Sequence, residues 1–355
     1  MNTLVALPAG SPAGVLQTIL ASNPAIQPRV IIDGLGAVIE APTPVVAALS
    51  AFPGVAAAVT GALPAGLPVN PVLQPWIDAW NKQFDPAYQA SLAARPAKWL
   101  TTGNPPPGAS GTPAPPTSTL DGTVAFGLVT VNGPAAAALS PSDVIDINLG
   151  VLNAIGHLTR NAPDAARLVF VIEWQPVTLV GVVDPLSIPG PIPNSTFDDQ
   201  ENPEKQWRDP ALAAIGQPAG FPGVTNYRNA LLGRTWWGGV HADKSIVGFV
   251  SRYNTAMSAY AAMGRLVVNL PQTDVFPGRI HIDRVVAHEM CHLFEAQDEY
   301  DGCAPFVMSG PFHAVNGNCI SNPLATLGQA PCLMAGTSDD LCNWTKAHVG
   351  WQPFP

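Results

Sequence analysis

The sequence predicts an α+β fold in which a small N-terminal module precedes a larger C-terminal domain. Three observations predict it. The first 61 residues read as short strands and helices in the order β-α-β-β-α-β, residues 103–119 are dominated by proline, glycine, serine and threonine, and an amphipathic helix followed by strands comes after them. We therefore expect a module at 1–61, a connection and linker at 62–119, and a domain at 120–355.

The amino-acid composition argues against disorder, nucleic-acid binding and a membrane span. Hydrophobic residues make up 47% of the chain and charged residues only 12%, the reverse of a disordered sequence. The 25 acidic residues outnumber the 16 basic ones, so no basic surface for nucleic acid is expected. The 39 prolines and 32 glycines interrupt every apolar run before it reaches about 18 residues, the length that a spanning helix needs.

The N-terminal module is predicted from the turn residues that separate its segments. Gly34 and Gly36 divide two strand-like runs into a hairpin. Ser11 and Thr43, each followed by proline, begin helices. The strands are expected at 3–6, 29–33, 37–41 and 55–59. This order is that of a ferredoxin-like module. It also resembles the small inhibitory prodomains that precede some secreted proteases, which implies intramolecular inhibition; a packing or adaptor domain is the alternative.

The C-terminal domain is predicted from helical periodicity and apolar runs. Ser142 and Asp143 begin a helix with an apolar stripe. Asp283 is expected to cap a second helix that runs towards Phe294. Strands are expected at 166–174 and 176–183, and a buried strand at 264–270.

The connection and the long loops carry weaker signals. Residues 62–100 show one amphipathic stretch, at 76–84, and residues 185–225 read as a long surface excursion. An acidic cluster in this excursion is interpreted as a solvated surface. Calcium is the ion that such a cluster would bind, but the spacing is not that of an EF-hand. The members of the cluster are Asp198, Asp199, Glu201 and Glu204.

The second predicted helix carries a metal-binding pattern, HEMCH, at 288–292. His288 and His292 are four residues apart, so on a helix they lie about 40° apart and can bind one ion. Glu289 sits beside that face, about 100° from His288, where it can take a proton from an activated water. The pattern predicts a zinc site with Glu289 as the general base.

A catalytic zinc needs a third protein ligand and one open position. Asp298 lies ten residues after His288, where the chain can turn back beneath the metal once the helix has stopped. Asp298 is therefore the best candidate for the third ligand. Glu299 and His313 are the alternative ligands.

With Asp298 as a ligand, residues 288–300 resemble the extended HExxHxxGxxH motif of the metzincin zinc metallopeptidases, with Asp in place of the last His. The Asp-ligand form resembles the snapalysin-type proteases. The trailing sequence DEY, at 298–300, resembles that of the IgA-protease-like metallopeptidases. The resemblance covers roughly 142–352 and implies a zincin domain, with a twisted mixed sheet and an active-site helix.

The resemblance also implies a methionine-containing turn, the Met-turn, beneath the zinc. Met334 is expected in that turn, because the sequence from Ser338 to Asp340 is a good helix start and a helix should follow the turn. Met308 is the competing methionine.

One position departs from the family pattern. Glu295 stands where the family usually has a glycine that lets the chain reverse. A left-handed backbone at a non-glycine residue costs roughly 1–2 kcal/mol. We expect either a strained turn or a turn of another shape. Either one affects the predicted role of Asp298 as a ligand more than that of the two histidines.

All five cysteines lie in the last 65 residues, so one local region is stapled or binds metal. We expect disulfides that pair Cys303 with Cys319 and Cys332 with Cys342, because such short loops would hold the site rigid. A second zinc on these four cysteines is disfavoured because no CxxC spacing occurs. Cys291, inside the motif, is then a buried free thiol.

The remaining histidines are assigned mostly structural roles. We expect His157, near the end of its helix, to be a cap or a surface residue, and His281 and His348 to be structural. His241 is a minor candidate for lining the substrate cleft.

Together these patterns predict a zinc-dependent endopeptidase that acts on a protein or peptide substrate, with residues 264–270 as an edge strand for extended substrate. A non-catalytic zinc-scaffold binding or structural module is the alternative. The disulfides and the family resemblance predict an extracellular protein. Because the first 12 residues do not read as a secretory signal, a cytoplasmic protein is the alternative.

Overall fold

The computed structural model describes residues 2–99, 119–182, 184, 197–236, 239–254, 258–275, 278–323 and 329–352. The predicted linker lies outside the described residues except for Thr119, as do residues 185–196 of the predicted excursion. The described part of the chain forms a mixed α+β fold, as the sequence predicts.

The secondary-structure elements have the following bounds. The strands are β1 (Asn2–Ala6), β2 (Gln27–Ile32), β3 (Gly36–Glu40), β4 (Ala57–Val59), β5 (Thr123–Asn132), β6 (Val169–Thr178), β7 (Thr235–Trp236), β8 (Val240–His241), β9 (Lys244–Ser251), β10 (Ala259–Ala262), β11 (Arg265–Asn269), β12 (Met308–Ser309) and β13 (Ala314–Val315). The helices are α1 (Ala13–Ala21), α2 (Thr43–Ser50), α3 (Gln74–Lys82), α4 (Pro86–Ala94), α5 (Pro141–Asn161), α6 (Phe197–Ala214), α7 (Gly220–Gly233), α8 (Leu270–Val275), α9 (Ile282–His292) and α10 (Asn343–His348).

The N-terminal elements follow the predicted order, β1-α1-β2-β3-α2-β4. Their strands are arranged as β2-β3-β1-β4, and every neighbouring pair is antiparallel. β3 runs close against β1 because Gly36 has no side chain: an added Cβ would lie 1.9 Å from the carbonyl oxygen of Val5.

The N-terminal strands continue into the C-terminal sheet. One nine-stranded sheet has the order β10-β11-β9-β5-β6-β2-β3-β1-β4. β2 pairs in parallel with β6, with Val30 opposite Phe170, and side chains from both parts share one apolar core. This corrects the expectation of a separate, tethered module at 1–61. An isolated small sheet would leave the backbone groups along β2 unpaired, and pairing with β6 satisfies them.

The C-terminal part of the sheet has four parallel strands, β6, β5, β9 and β11. β5 lies between β9 and β6 and was not predicted from the sequence. Its residues from Val124 to Val131 are all buried, as in strands covered on both faces. The runs expected as two strands, at 166–174 and 176–183, meet in one strand, β6, which spans Val169–Thr178.

An antiparallel strand, β10, forms the edge of the sheet next to β11. β11 corresponds to the strand expected at 264–270, and all of its residues are buried. Because β10 covers its outer side, β11 is not the edge strand, which corrects the expected substrate-binding edge.

α5 is the central helix of the fold. Ser140 and Asp143 form a capping box at its start, in which each side chain bonds the backbone N–H of the other. α5 packs against α3 and α9. Among the described residues, the segment Ala135–Asn161 is long and apolar enough to cross a membrane by length and composition, a test that a buried core helix also passes.

Residues 62–99 are more ordered than the connection expected there. α3 covers the predicted amphipathic stretch, packs against α5 and buries Trp76, Ile77 and Trp80. α4 follows, with the Asp85 carboxylate capping its first turn.

The long excursion contains two helices, α6 and α7. Glu204 in α6 is fully buried, and its Oε1 accepts hydrogen bonds from Arg208 Nη1 at 2.8 Å and from Arg265 Nε at 2.7 Å. Burial raises the pKa of Glu204, but the two guanidinium groups outweigh it and lower that pKa. This corrects the prediction that the acidic cluster is a solvated surface, because Glu204 lies inside the protein, bonded to its two cationic partners. The side chains of the other three cluster members lie outside the described residues.

α9 and the N-terminal strands lie at opposite ends of the sheet. α9 packs against β10 and β11, whereas β1 to β4 lie beyond β6. This arrangement gives no support to the expected intramolecular inhibition by the N-terminal module.

Candidate metal centre

The proposed active-site helix, α9, is almost entirely buried. Its N-cap is His281, and Asp283, the expected cap, lies in its first turn. His288 and His292 lie one turn apart at its C-terminal end, and their Nε2 atoms are 3.1 Å apart. The two imidazoles therefore converge on one point, as their spacing predicts.

The chain reverses directly after α9. Glu295 has φ 70°, in the left-handed region, so it takes the strained turn that the missing glycine suggested. The backbone N–H of Ala296 then bonds the carbonyl of Cys291 at 3.1 Å, which closes the turn.

The reversal brings Asp298 to the two histidines. Asp298 Oδ1 lies 3.0 Å from His288 Nε2 and 3.2 Å from His292 Nε2. A tetrahedral zinc with bonds of about 2.0–2.1 Å separates its ligand atoms by about 3.4 Å. The three donors therefore fit a zinc ion after outward shifts of a few tenths of an ångström.

The opposite ring nitrogens of the two histidines face backbone carbonyls. His292 Nδ1 lies 2.8 Å from the carbonyl oxygen of Ala296, and His288 Nδ1 lies 3.4 Å from that of Leu333. Because a carbonyl only accepts, these contacts favour the neutral tautomer that carries its proton on Nδ1. In that tautomer the Nε2 lone pair is the one that a metal would take.

Glu289 is buried beside this triad. Its Oε2 has no hydrogen-bond partner among the described residues. Burial raises the pKa of Glu289, while His292 and His288 oppose the shift. A buried carboxylate with a free oxygen can accept a proton from a water molecule close to the three donors.

Within the triad of His288, His292 and Asp298, neighbouring charges shift the pKa values of Asp298 and His292. Burial alone would raise the pKa of Asp298, but His292 and His288 hold it well below its usual range. Burial lowers the pKa of His292, and the Asp298 carboxylate outweighs this and raises it to about 9. A metal ion must displace a proton from these groups, so its affinity depends on pH.

Met334 lies in a turn next to His288. Its side chain is fully buried, and its carbonyl accepts the backbone N–H of Glu299 at 3.1 Å. The neighbouring Leu333 supplies the carbonyl that faces His288. Met308, the competing methionine, is 63% exposed on β12. The helix after the turn begins at Asn343 with Cys342 as its cap, later than the start expected at 338–340.

The two alternative ligands point elsewhere. Glu299 is buried, and its Oε1 accepts hydrogen bonds from Thr345 Oγ1 at 2.7 Å and from Cys342 Sγ at 3.0 Å. His313 is exposed. Neither joins the group formed by His288, His292 and Asp298.

The cysteines follow the prediction in part. Cys303 and Cys319 form a disulfide, whereas Cys291, Cys332 and Cys342 are buried free thiols. The expected bond between Cys332 and Cys342 is therefore absent. The Cys342 thiol instead donates to the buried Glu299 carboxylate, which needs donors around it. Glu299, Cys332 and Cys342 place ligand atoms within 4.8 Å of one another.

Two aromatic residues, neither of which had a predicted role, flank His288. Trp99 lies edge-on to His288, with ring centres 5.9 Å apart. Tyr300 stacks on the same imidazole at 6.0 Å, and burial, followed by the Asp298 charge, raises the pKa of its hydroxyl. In the sequence, Tyr300 could have been found from the DEY motif that it ends. Trp99 is marked there only by its place just before the proline-rich segment.

The other histidines lie away from the triad. His157 is buried and its Nε2 lies 2.9 Å from Asp283 Oδ2, which corrects the expected surface position. His281 and His348 are buried, in keeping with structural roles. His241 is exposed on β8. A Cβ added at Gly239 in the same hairpin would lie 2.7 Å from Gln17 Nε2 of α1, so this hairpin lies beside α1 and His241 does not lie with the triad.

A scan against protein-family models finds no match, and no curated protein is significantly similar to the chain.

Proposed function

We propose that the protein is a zinc-dependent endopeptidase of the metzincin type. The convergence of His288, His292 and Asp298 within 3.2 Å carries this proposal, with Glu289 buried beside them. His-His-Asp with one open position is a donor set suited to catalytic zinc. The buried Met334 turn against His288 supports the same reading.

The fold supports the proposal at a coarser level. Four parallel strands, an antiparallel edge strand and the helix α9 correspond to the mixed sheet and active-site helix that the resemblance implies. The antiparallel strand order β2-β3-β1-β4 supports a ferredoxin-like arrangement of the N-terminal elements. We do not extend the proposal to inhibition by these elements, since they lie at the far end of the sheet.

The proposed chemistry assigns one role to each group. His288, His292 and Asp298 would hold the ion, which when bound supplies a Lewis acid and lowers the pKa of water to around 7. Glu289 accepts the proton of the attacking water and returns it to the leaving amine. Its free Oε2 is the atom that this transfer needs.

We propose that extended substrate pairs with β10. β10 is the edge strand beside α9, and its pairing partner β11 occupies only one side. Main-chain pairing along such an edge needs no particular side chains, which suits a general peptide substrate. The Cys303–Cys319 disulfide supports a location outside the reducing cytosol.

The non-catalytic alternative rested on Glu295, which could disturb the turn, and on an N-terminus that does not read as a secretory signal. With Asp298 Oδ1 within 3.2 Å of both imidazoles, no specific observation favours that alternative.

The deciding experiment changes Glu289 to Gln. Zinc content should persist, while hydrolysis of a casein-like general substrate should fall by about 10²–10⁴-fold, because only the proton acceptor is lost. Glu40→Gln, on β3 at the far end of the sheet, is the matched control and should keep wild-type activity. Undiminished hydrolysis in Glu289→Gln would refute the mechanism. A wild-type protein that binds zinc but cleaves nothing would favour the non-catalytic alternative.

A further inference from the structure

The segment 95–99, which we call the strap, ties the start of α9 to the region of the Met334 turn. Arg95 Nη1 bonds Asp283 Oδ2 at 2.9 Å, and Arg95 Nη2 bonds Asp339 Oδ2 at 2.9 Å. Asp283 lies in the first turn of α9, and Asp339 follows the Met334 turn. One guanidinium, only 8% exposed, therefore links both sides of the metal centre.

Two further hydrogen bonds fasten the rest of the strap. Arg284 Nη1 of α9 donates to the carbonyl of Pro96 at 2.8 Å. The backbone N–H of Trp99 donates to the carbonyl of Gly336 at 2.8 Å. The strap is thus bonded to α9 at one end and to the Met334 turn at the other.

The strap delivers the indole of Trp99 to the first metal ligand. Trp99 is 3% exposed, stacks on His281 and lies edge-on to His288 at an interplanar angle of 89°. Its own Nε1 has no partner among the described residues. The indole is therefore held by packing and by its backbone.

His288 depends on such packing more than His292 does. The Nδ1 contact of His292 is 2.8 Å long, within the usual range of about 2.7–3.2 Å, whereas that of His288 is 3.4 Å. A long, weak hydrogen bond leaves the imidazole freer to rotate. Trp99 and Tyr300, with ring centres 5.9 Å and 6.0 Å away, then set its orientation.

We propose that Trp99 is a positioning residue for the metal ligand His288, and that the strap makes the chain before the linker an integral part of the metal centre. The proposal rests on the proposed function, because the ion that it concerns is the zinc of that site. Trp99 packs against the His288 ring, and it would act by holding that imidazole in the orientation that the ion requires.

The test compares Trp99→Leu with Trp76→Leu in the full-length protein. Trp76 is the matched control, because it is also a buried tryptophan with an unpartnered Nε1, but it packs against Trp174 instead of a metal ligand. Zinc affinity is measured by competition with a chelator, and ligand geometry by the absorption of the Co²⁺-substituted protein. Circular dichroism and thermal unfolding monitor folding.

We expect zinc affinity to fall by about 10- to 100-fold in Trp99→Leu, with a changed Co²⁺ spectrum. Trp99→Phe, which keeps an aromatic ring against His288, should recover most of the loss. Trp76→Leu should keep wild-type zinc affinity even if it is less stable. If Trp99→Leu does not fold, Trp99→Phe decides alone, since it should still bind zinc measurably more weakly than Trp76→Phe.

Wild-type zinc affinity and Co²⁺ absorption in folded Trp99→Leu would overturn the positioning role and leave the proposed function standing. If Trp99→Leu does not fold, a Trp99→Phe protein that binds zinc as tightly as Trp76→Phe would do the same. Equal losses in the Trp76 and Trp99 variants would also overturn it, since the effect would then be general destabilisation. Failure of the wild-type protein to bind zinc would overturn both the proposed function and this role.

Discussion

The carboxylate of Glu295 accepts a hydrogen bond from the backbone N–H of Gly310 at 2.9 Å. The same residue has φ 70° and reverses the chain between the two histidines and Asp298. Glu295 thus fastens the disulfide-closed loop, 303–319, to the end of α9. This bond offsets part of the strain that the left-handed backbone introduces.

We predict that Glu295→Gly is more stable than Glu295→Ala by about 1 kcal/mol. Both variants lose the bond to Gly310, so they differ only in how readily the backbone takes a positive φ. Urea unfolding of the two proteins measures the difference. Equal stabilities, or a more stable alanine variant, would mean that the backbone leaves the left-handed region once the carboxylate is gone.

The stability of the protein should fall on the acid side because of His348. Burial lowers the pKa of His348 to about 4, and its Nδ1 has no partner among the described residues. Between about pH 6.5 and pH 4 the unfolded chain binds a proton that the folded chain does not, so stability decreases as the pH decreases.

This effect is measured as a difference from His348→Gln, which cannot titrate there. Between pH 7 and pH 4.5 the wild-type protein should lose about 2 kcal/mol more unfolding free energy than the variant. His241→Gln, at an exposed site on β8, is the control substitution. Parallel pH profiles for wild type and His348→Gln would contradict the prediction.

The thiol count distinguishes the two cysteine pairs. The denatured, unreduced protein should expose three reactive thiols, Cys291, Cys332 and Cys342, and five after reduction. A count of one before reduction would mean that Cys332 and Cys342 are joined after all.

The disulfide between Cys303 and Cys319 should stabilise the protein. Because the loop that it closes has a sequence separation of 16, replacing both cysteines by Ser should lower the free energy of unfolding by about 3 kcal/mol. Reduction of the wild-type protein should reproduce that loss.

Cutting the chain within 103–119 should neither activate the protein nor separate its halves. β2 is paired with β6, and the strap is bonded to α9 and to the Met334 turn, so the fragments remain joined by a sheet and a buried core. An inserted protease site followed by gel filtration and peptidase assay tests this. Separation of the fragments with a rise in activity would support an inhibitory N-terminal module instead.

Local patterns predicted much of the fold. The N-terminal elements and the starts of α2 and α5 could be read from proline, glycine and capping residues, which act on their immediate neighbours. β5 was missed because a continuous apolar run after a proline-rich stretch has no alternation to mark it. The separate module was expected because no local sequence pattern indicates that β2 pairs with β6, which lies more than 130 residues away along the chain.

For the candidate site, too, local sequence patterns predicted one part and missed another. The four-residue spacing of His288 and His292 predicted their convergence, since helix geometry alone sets it. The buried Glu204 and the free Cys342 were not predictable, because each depends on partners distant in sequence: Arg265 for the first and Glu299 for the second.

The sequence by itself determined the pair of histidines, the adjacent Glu289 and the candidate Asp298, because turns and helices place residues that are close along the chain. Only the tertiary structure decided that Asp298 reaches the imidazoles after a strained turn at Glu295. It also decided that β10 rather than β11 is the edge strand of the sheet, and that Trp99 packs against His288. Those outcomes depend on which distant groups can bury apolar surface and satisfy one another's hydrogen bonds, a condition that exists only once the whole chain has folded.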